Sequence, residues 1–435
     1  MCRRMNSKET LAFLKEEKTE ALLERLYKGE REKNQKRYQE LVEKFKQTFG
    51  DKDICLFSSP GRTEISGNHT DHNHGKVLAG SINLDCIGVA AKNNTGLIHI
   101  VSETFSQDFT ISVQELERGE RHVGTVELVK GLVKGFQSFG FQIGGFDLYT
   151  SSTVISAAGV SSSAAFEMLI CVILNHFYNE DRLNIVNYAH IGQFAENQYW
   201  DKASGLLDQM ACAAGGLITI DFKNPKEPEV EKIAFDFGAQ KHKLIIVNTG
   251  KGHADLSEDY SSVPKEMKSV AAYFGKEVCA DITEKQVLEN LAAVREACGD
   301  RAVMRALHFF EENKRVEAEV LALKENRFND FLSEITESGN SSWKWLQNCF
   351  TNHSYQEQGI SIALALTELF IKEKKCGACR IHGGGFAGVI MAMLPEELAD
   401  EYADYMEAAL GKGNVYLMSI RPYGAVCLNL LASEM

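Results

Sequence analysis

The chain has 435 residues, 44% hydrophobic and 25% charged, the composition of an ordinary soluble globular protein with room for two domains. Its formal net charge of −13 argues against a nucleic-acid-binding surface, which a basic patch would mark. No apolar run reaches the ~20 residues needed to cross a bilayer, and no leader is evident after Met1-Cys2-Arg3-Arg4. Eleven cysteines, scattered and odd in number, fit reduced thiols in a cytoplasm; the close pair Cys376 and Cys379 lacks the second pair of a zinc site and reads as packing.

Residues 1–48 are highly charged, with Leu22, Leu23, Leu26, Leu41, Val42 and Phe45 at helical spacing, which predicts one or two surface helices. An apolar strand, Ile54 to Phe57, leads into Ser59 to Gly75, seventeen residues that include an arginine, two acids and three histidines. Such density in a surface loop suits a small polar ligand, although a solvated connection has the same composition. Strands are expected at Cys86–Ala91 and Leu97–Val101, joined by a hairpin turn at Asn93-Asn94-Thr95-Gly96. A helix at Glu127–Phe139 and a short strand at Phe146–Tyr149 follow.

Small residues from Ser156 to Ala165 open a long apolar helix running to about Tyr178. A helix start of this kind leaves backbone N–H groups free for an anion; serine is also favoured at a plain N-cap, but three consecutive serines followed by two alanines exceed what a cap needs. It is not a Walker A loop, since no Lys-Ser or Lys-Thr follows a G-x-x-x-x-G spacing here. A helix from Leu183 to Trp200 carries Glu196, and Gly205-Leu206-Leu207-Asp208-Gln209-Met210 comes next. Asp208 among apolar neighbours needs a partner if buried, and Arg62 is an available one. Strands are expected at Gly216–Phe222 and Lys243–Asn248, and helical periodicity dominates from Tyr260 to Lys374. The glycines of Arg380 to Gly388 run into an apolar strand, Val389–Leu394, rather than a helix, so a dinucleotide fold is excluded. A helix at Glu396–Glu407 and strands near Val415–Met418 and Ala425–Leu430 complete the chain.

Residues 59–75 resemble the galactokinase signature G-R-V-N-L-I-G-E-H-T-D-Y-N-x-G. Residues 155–164 resemble the second motif of the GHMP small-molecule kinases, P-x-G-x-G-L-S-S-S-A, with Ile155 and Ala157 replacing the proline and first glycine. Residues 383–388 resemble the third, G-G-G-F-G-G, with Ala387 for a glycine. The resemblance implies a two-domain α+β GHMP kinase fold: a helical extension (1–48), an N-terminal α/β domain (49–240) and a helix-rich α+β C-terminal domain (241–435), with the active site in the cleft between the last two. It implies transfer of the ATP γ-phosphoryl group to the anomeric hydroxyl of a sugar, galactose first. Asp208 is then the catalytic base with Arg62 as its partner, and Ser163 and Glu196 are the Mg²⁺ ligands. Ala158, Gly159, Val160, Ser161, Ser162, Ser163 and Ala164 bind ATP, and Asn68, His69, Asp71 and Tyr260 read the sugar. The implied partners are a small-molecule sugar and ATP, with no nucleic acid and no membrane, for a cytoplasmic monomer. Asn68 stands where the family carries a glutamate associated with the sugar's 6-hydroxyl, which opens galacturonate as a second substrate; N-acetylgalactosamine is a third candidate on which no residue bears directly. A non-catalytic sugar sensor would be expected to interrupt the serine loop, here unbroken from Ser161 to Ala165. A metallohydrolase built on His69, Asp71, His72 and His74 lacks downstream partners at ligand spacing.

Overall fold

The computed structural model describes residues 4–119, 124–155, 159–202, 204–250 and 256–435. Three helices open the chain: α1 (Ser7–Phe13), α2 (Glu17–Tyr27) and α3 (Arg31–Phe49). The first half continues through β1 (Cys55–Ser66), β2 (Lys76–Lys92), β3 (Leu97–Ser102), β4 (Gln107–Ser112), α4 (Thr125–Ser138) and β5 (Phe146–Ser152). It ends with α5 (Ser162–Tyr178), α6 (Ile185–Tyr199), α7 (Leu207–Ala214), β6 (Leu217–Asp221) and β7 (Glu229–Ile233). The second half has β8 (His242–Asn248), then α8 (Ser257–Tyr273), α9 (Glu284–Glu289), α10 (Leu291–Cys298), α11 (Asp300–Lys324), α12 (Phe328–Ser341) and α13 (Gly359–Lys374). It closes with β9 (Ala378–His382), β10 (Val389–Pro395), α14 (Ala399–Leu410), β11 (Val415–Met418), β12 (Val426–Cys427) and α15 (Leu428–Glu434). Among the described residues no helix is long and apolar enough to cross a membrane.

The first sheet has the order β12-β1-β2-β5-β3-β4, with β6 and β7 continuing from the near end of β2. The second is antiparallel, β11-β8-β10-β9. Residues 93–96 are therefore not a hairpin turn. β5 lies between β2 and β3, antiparallel to the first and parallel to the second, and parallel pairing requires the crossover that α4 supplies. The local turn chemistry is still present, since Asn93 Oδ1 accepts from the Thr95 N–H at 3.1 Å; it turns the chain without pairing the strands. Val426–Cys427 is a strand as expected, but Leu428 onward is helix, and this last segment returns to the first sheet through Phe57↔Cys427.

The opening helices are not surface additions. Alternation along β1 sends Cys55 and Phe57 into the main core and Ile54 and Leu56 to the other face. That face, with Ile87, Val89 and Ala91 of β2, is covered by Leu22, Leu23, Leu41, Val42 and Phe45. A two-faced apolar sheet needs a layer on each side, and residues 7–49 are one of them.

The layer is locked by Asp85, a fully buried carboxylate. It accepts from Tyr27 Oη and Ser58 Oγ, each at 2.5 Å, and from Arg37 and Arg421, each at 3.0 Å. Burial opposes its ionisation, but the two guanidiniums outweigh it and hold the carboxyl below its ordinary value. Removing one partner of such a network strands the others in a low dielectric. Asp85→Ala is expected to lower stability by about 3–5 kcal/mol in urea unfolding; a loss under about 1 kcal/mol would mean that the network does not hold the layer.

Candidate active site

The signature stretch is mostly strand. Cys55 to Ser66 is buried throughout as β1, and only residues 67–75 form the expected loop, around a 3₁₀ turn at Asp71–Asn73. The register of β1 against β2 shifts between Pro60 and Arg62. Such a bulge re-aims the next side chain, and the Arg62 N–H leaves the ladder to donate to Val160 O at 3.1 Å. The Arg62 guanidinium donates through Nε to Asp208 Oδ1 at 2.8 Å, with Nη2 also 2.8 Å from that oxygen, and through Nη1 to Gly159 O. Asp208 sits in the first turn of α7, where the helix dipole favours an anion, and Ser161 Oγ donates to its Oδ2 at 2.5 Å. Burial works against the Asp208 charge, yet Arg62, Lys202 and Ser161 hold its pKa below the ordinary value.

The glycine-serine segment leads into α5. Ala158 lies outside the described residues; Gly159 and Ser161 both have positive φ, 63° and 57°. A Cβ on Gly159 would also meet Val389 Cγ2 at 2.9 Å, so only glycine fits there. No side chain caps α5. Among the described residues the serines therefore do not serve as the plain cap that their composition also allowed, and the N–H groups of Ser162, Ser163 and Ala164 open the helix without a side-chain acceptor. Ser163 Oγ is 3.4 Å from Glu196 Oε1, and Lys202 Nζ is 2.5 Å from the same oxygen. Gln209 Nε2 bridges Glu196 Oε2 and Glu167 Oε2 at 3.2 and 3.0 Å. Glu167 is wholly buried; burial first and Glu196 second drive its pKa well up.

A hydroxyl and a carboxylate at this separation suit a hard divalent cation such as Mg²⁺. The Lys202 ammonium supplies the positive charge that Glu196 needs in this structure, and its side chain is 45% exposed, free to move aside.

Beside Arg62 and Asp208 opens a cavity of about 180 Å³, lined by Glu64, Asn68, His69, Asp71, Lys202 and Gly205 among others. Asn68 is fully buried. Its amide donates to Glu64 Oε1 at 2.9 Å and Gly383 O at 2.7 Å, and its oxygen accepts from Asn348 at 2.7 Å. Both amide protons are thus taken, and Asn68 has no donor left for a sugar hydroxyl. Glu64 has one. Its Oε1 is held by Asn68 and by Arg380 Nη2 at 3.2 Å, while Oε2 makes no hydrogen bond to the protein among the described residues and the side chain lines the cavity. Against the galactokinase signature, amide and carboxylate have exchanged places: glutamate at 64 for the pattern's asparagine, asparagine at 68 for its glutamate.

His69 donates from Nε2 to Gly384 O at 2.8 Å. Burial, aided by His72, lowers its pKa to about 4 and keeps it neutral. Asp71 faces Gly205, where a Cβ would come within 2.8 Å of Asp71 Oδ2. Tyr260 is engaged elsewhere: its hydroxyl donates to Gly385 O at 2.9 Å and its ring packs edge-on against Phe386, so it braces the glycine loop and does not line the cavity.

A family model described as the galactokinase galactose-binding signature matches residues 43–92, and one described as the GHMP kinases N terminal domain matches residues 127–216. The chain is similar to the GHMP kinases over both of these segments. Relatives include the galactokinase of Clostridium tetani, 25% identical over 85% of this chain and 91% of that protein. The galactokinase of Lactococcus lactis subsp. lactis is 27% identical over 86% and 90%. Among solved structures, Lactococcus lactis galactokinase complexed with galactose superposes with a TM-score of 0.75, at 23% identity over 90% of this chain and 99% of that one. Methanococcus jannaschii mevalonate kinase gives 0.57 at 16% identity, over 84% and 98%. These neighbours share the GHMP fold, and the cavity here is lined both by Arg62 and Glu64 of the first sheet and by Gly383 and Gly384, which follow β9 of the second.

Several residues of this kinase's site are invisible from the motifs alone. Glu64 was within reach, since it breaks the signature it sits in. Arg380, Asn348 and Glu312 carry no local signal, because each matters only through a residue far away in sequence; Lys202 lies six residues from Glu196, a pairing that no motif marks. Glu312 of α11 is fully buried. Its Oε1 accepts from the backbone N–H of Gly67 at 3.1 Å and of Asn68 at 3.4 Å and from Ser338 at 2.6 Å, and its Oε2 accepts from Arg315 at 2.7 Å. Burial alone would raise its pKa, but His308, Arg315 and Arg380 bring it down to about 2. A depressed carboxyl stabilises the fold fully above its unfolded value and loses that contribution as the pH falls toward the folded one. The window here runs from 4.5 down to about 2, worth roughly 3 kcal/mol. Glu312→Gln is expected to be less stable at pH 7 and to show a flatter decline of stability between pH 4.5 and 3; parallel curves for the two proteins would contradict this anchor.

Proposed function

We propose that this GHMP kinase is a galactokinase, transferring the γ-phosphoryl group of ATP to the anomeric hydroxyl of galactose. The observation that carries the reading is a convergence: the Arg62–Asp208 pair and the Glu64–His69–Asp71 wall line one small cavity, and Ser161, just before α5, reaches Asp208 Oδ2 at 2.5 Å. Phosphoryl transfer asks for this combination of positioning and charge neutralisation. Asp208 is held as a carboxylate and receives the proton of the anomeric hydroxyl as that oxygen bonds to phosphorus and the β–γ bridge breaks to release ADP. Its depressed pKa makes it a weak base, which suits a loose transition state in which the proton moves late. Arg62 holds Asp208 in place and lies beside the charge that develops on the transferred group. The free N–H groups at Ser162, Ser163 and Ala164 would meet phosphate oxygens. Mg²⁺, when bound, neutralises the β- and γ-phosphates, and Ser163 with Glu196 would hold it.

The neutral sugar is favoured over a uronic acid by Glu64. The galacturonate alternative rested on the loss of a carboxylate at position 68, and a carboxylate four residues earlier faces the same cavity. Two like charges about 4 Å apart at an effective dielectric near 20 repel by roughly 4 kcal/mol before relaxation, less here because Arg380 pairs with Glu64.

Asp208→Asn should retain ATP binding and lose about 10²–10⁴-fold in kcat in a coupled ADP-release assay with galactose; turnover within twofold of wild type would remove Asp208 from the mechanism. Glu64→Gln should lower kcat/KM for galactose while raising the galacturonate-to-galactose ratio. An unchanged ratio would take Glu64 out of sugar selection.

A further inference from the structure

Away from the catalytic cavity, β1, the last turn of α5 and β12 bring together Cys55, His176 and Cys427. Their ligand atoms all lie within 4.8 Å of one another, with Cys55 Sγ 3.8 Å from His176 Nε2. Cys55 is fully buried and Cys427 is 4% exposed. Around a tetrahedral zinc with Zn–S near 2.3 Å and Zn–N near 2.0–2.1 Å, neighbouring ligand atoms stand roughly 3.5–3.8 Å apart, so the cluster is already close to the size of a metal site. The imidazole is also oriented for it. Its Nδ1 lies 3.1 and 3.0 Å from the two oxygens of Asp181, which puts the ring proton on Nδ1 and turns the Nε2 lone pair toward the sulfurs. A carboxylate behind a histidine in this way is the usual support of a metal-binding imidazole.

We infer that Cys55, His176 and Cys427 hold a zinc ion. Two sulfurs and an imidazole select zinc over the hard cations that Ser163 and Glu196 suit. Binding releases the two thiol protons to solvent, and two thiolates with one Zn²⁺ leave the buried cluster neutral, which avoids the cost of an uncompensated buried charge. The fourth position falls to water.

The ion is structural. None of its three ligands lines the catalytic cavity. β12 has only two residues and two register pairs with β1, too little to fix the C-terminal segment by itself. A metal joining it to β1 and α5 adds to the anchors that Arg421 on Asp85 and the Leu56 N–H on Asn429 Oδ1 give this segment. It also pins the end of α5 opposite the phosphate-facing start, about 25 Å away along a 17-residue helix.

The test uses the full chain, freed of any histidine tag and dialysed against metal-free buffer, with metals counted by inductively coupled plasma mass spectrometry. About one zinc per chain is expected, lost in Cys55→Ser, Cys427→Ser and His176→Ala. Asp181→Asn, which leaves all three ligands in place, should weaken zinc about 10–100-fold in competition with a chromophoric chelator. Cobalt added to chelator-stripped wild type should give thiolate-to-metal charge-transfer absorption, absent in Cys427→Ser. If the cysteine variants do not fold, the Asp181→Asn affinity and the wild-type cobalt spectrum decide. The inference is overturned by folded wild type without stoichiometric zinc and without the cobalt band, by zinc content unchanged in the cysteine variants, or by a Cys55–Cys427 disulfide under non-reducing mass spectrometry.

Discussion

Arg380 is fully buried, and the sugar-facing wall depends on how its charge is met. It belongs to β9 of the second sheet, yet its partners lie on β1 of the first: Ile65 O at 2.6 Å and Glu64 Oε1 at 3.2 Å. A guanidinium taken out of water is tolerable only with an anion and good hydrogen bonds beside it. That requirement ties the two halves of the molecule together at the strand that also carries Arg62. The Glu64 carboxylate is thus a domain clasp through one oxygen and a cavity-facing acceptor through the other.

The same constraint gives physical sense to the exchange at positions 64 and 68. One carboxylate and one amide are kept, four residues apart, and they remain hydrogen-bonded to each other. With the acid at 64 it pairs directly with Arg380; with the amide at 68 two protons are available for Glu64 and Gly383. Reading Asn68 by itself suggests a lost charge. Reading the pair shows a charge that has moved.

A second buried anion, Glu312, does for the loop what Glu64 does for the strand. It takes the N–H groups of Gly67 and Asn68, donors that a tight turn leaves without backbone partners and that would be costly to bury unpaired. His308 Nε2 meets Asn68 O at 3.0 Å from the same helix. The loop carrying His69 and Asp71 is therefore fixed from beneath by α11, and rigid support of this kind is what lets a polar wall discriminate between similar sugars.

What the sequence by itself determined were the features that live on local chemistry. Helices α4, α5 and α6, strands β6, β8, β10 and β11, and the small-residue start of α5 follow from periodicity and small-residue runs, and Arg62 with Asp208 follows from the need to pair a carboxylate set among apolar neighbours. Only the tertiary structure decided the rest. The hairpin at 93–96 failed because strand pairing is settled by which segment returns through α4, not by the turn residues. The opening helices became a core layer because the outer face of β1 and β2 had to be covered. Arg380 and Glu312 joined the site, and Cys55, His176 and Cys427 met one another, across sequence separations that no local pattern spans. Local pattern reports what a segment prefers; a buried charge or a ligand cluster reports what distant segments must jointly satisfy.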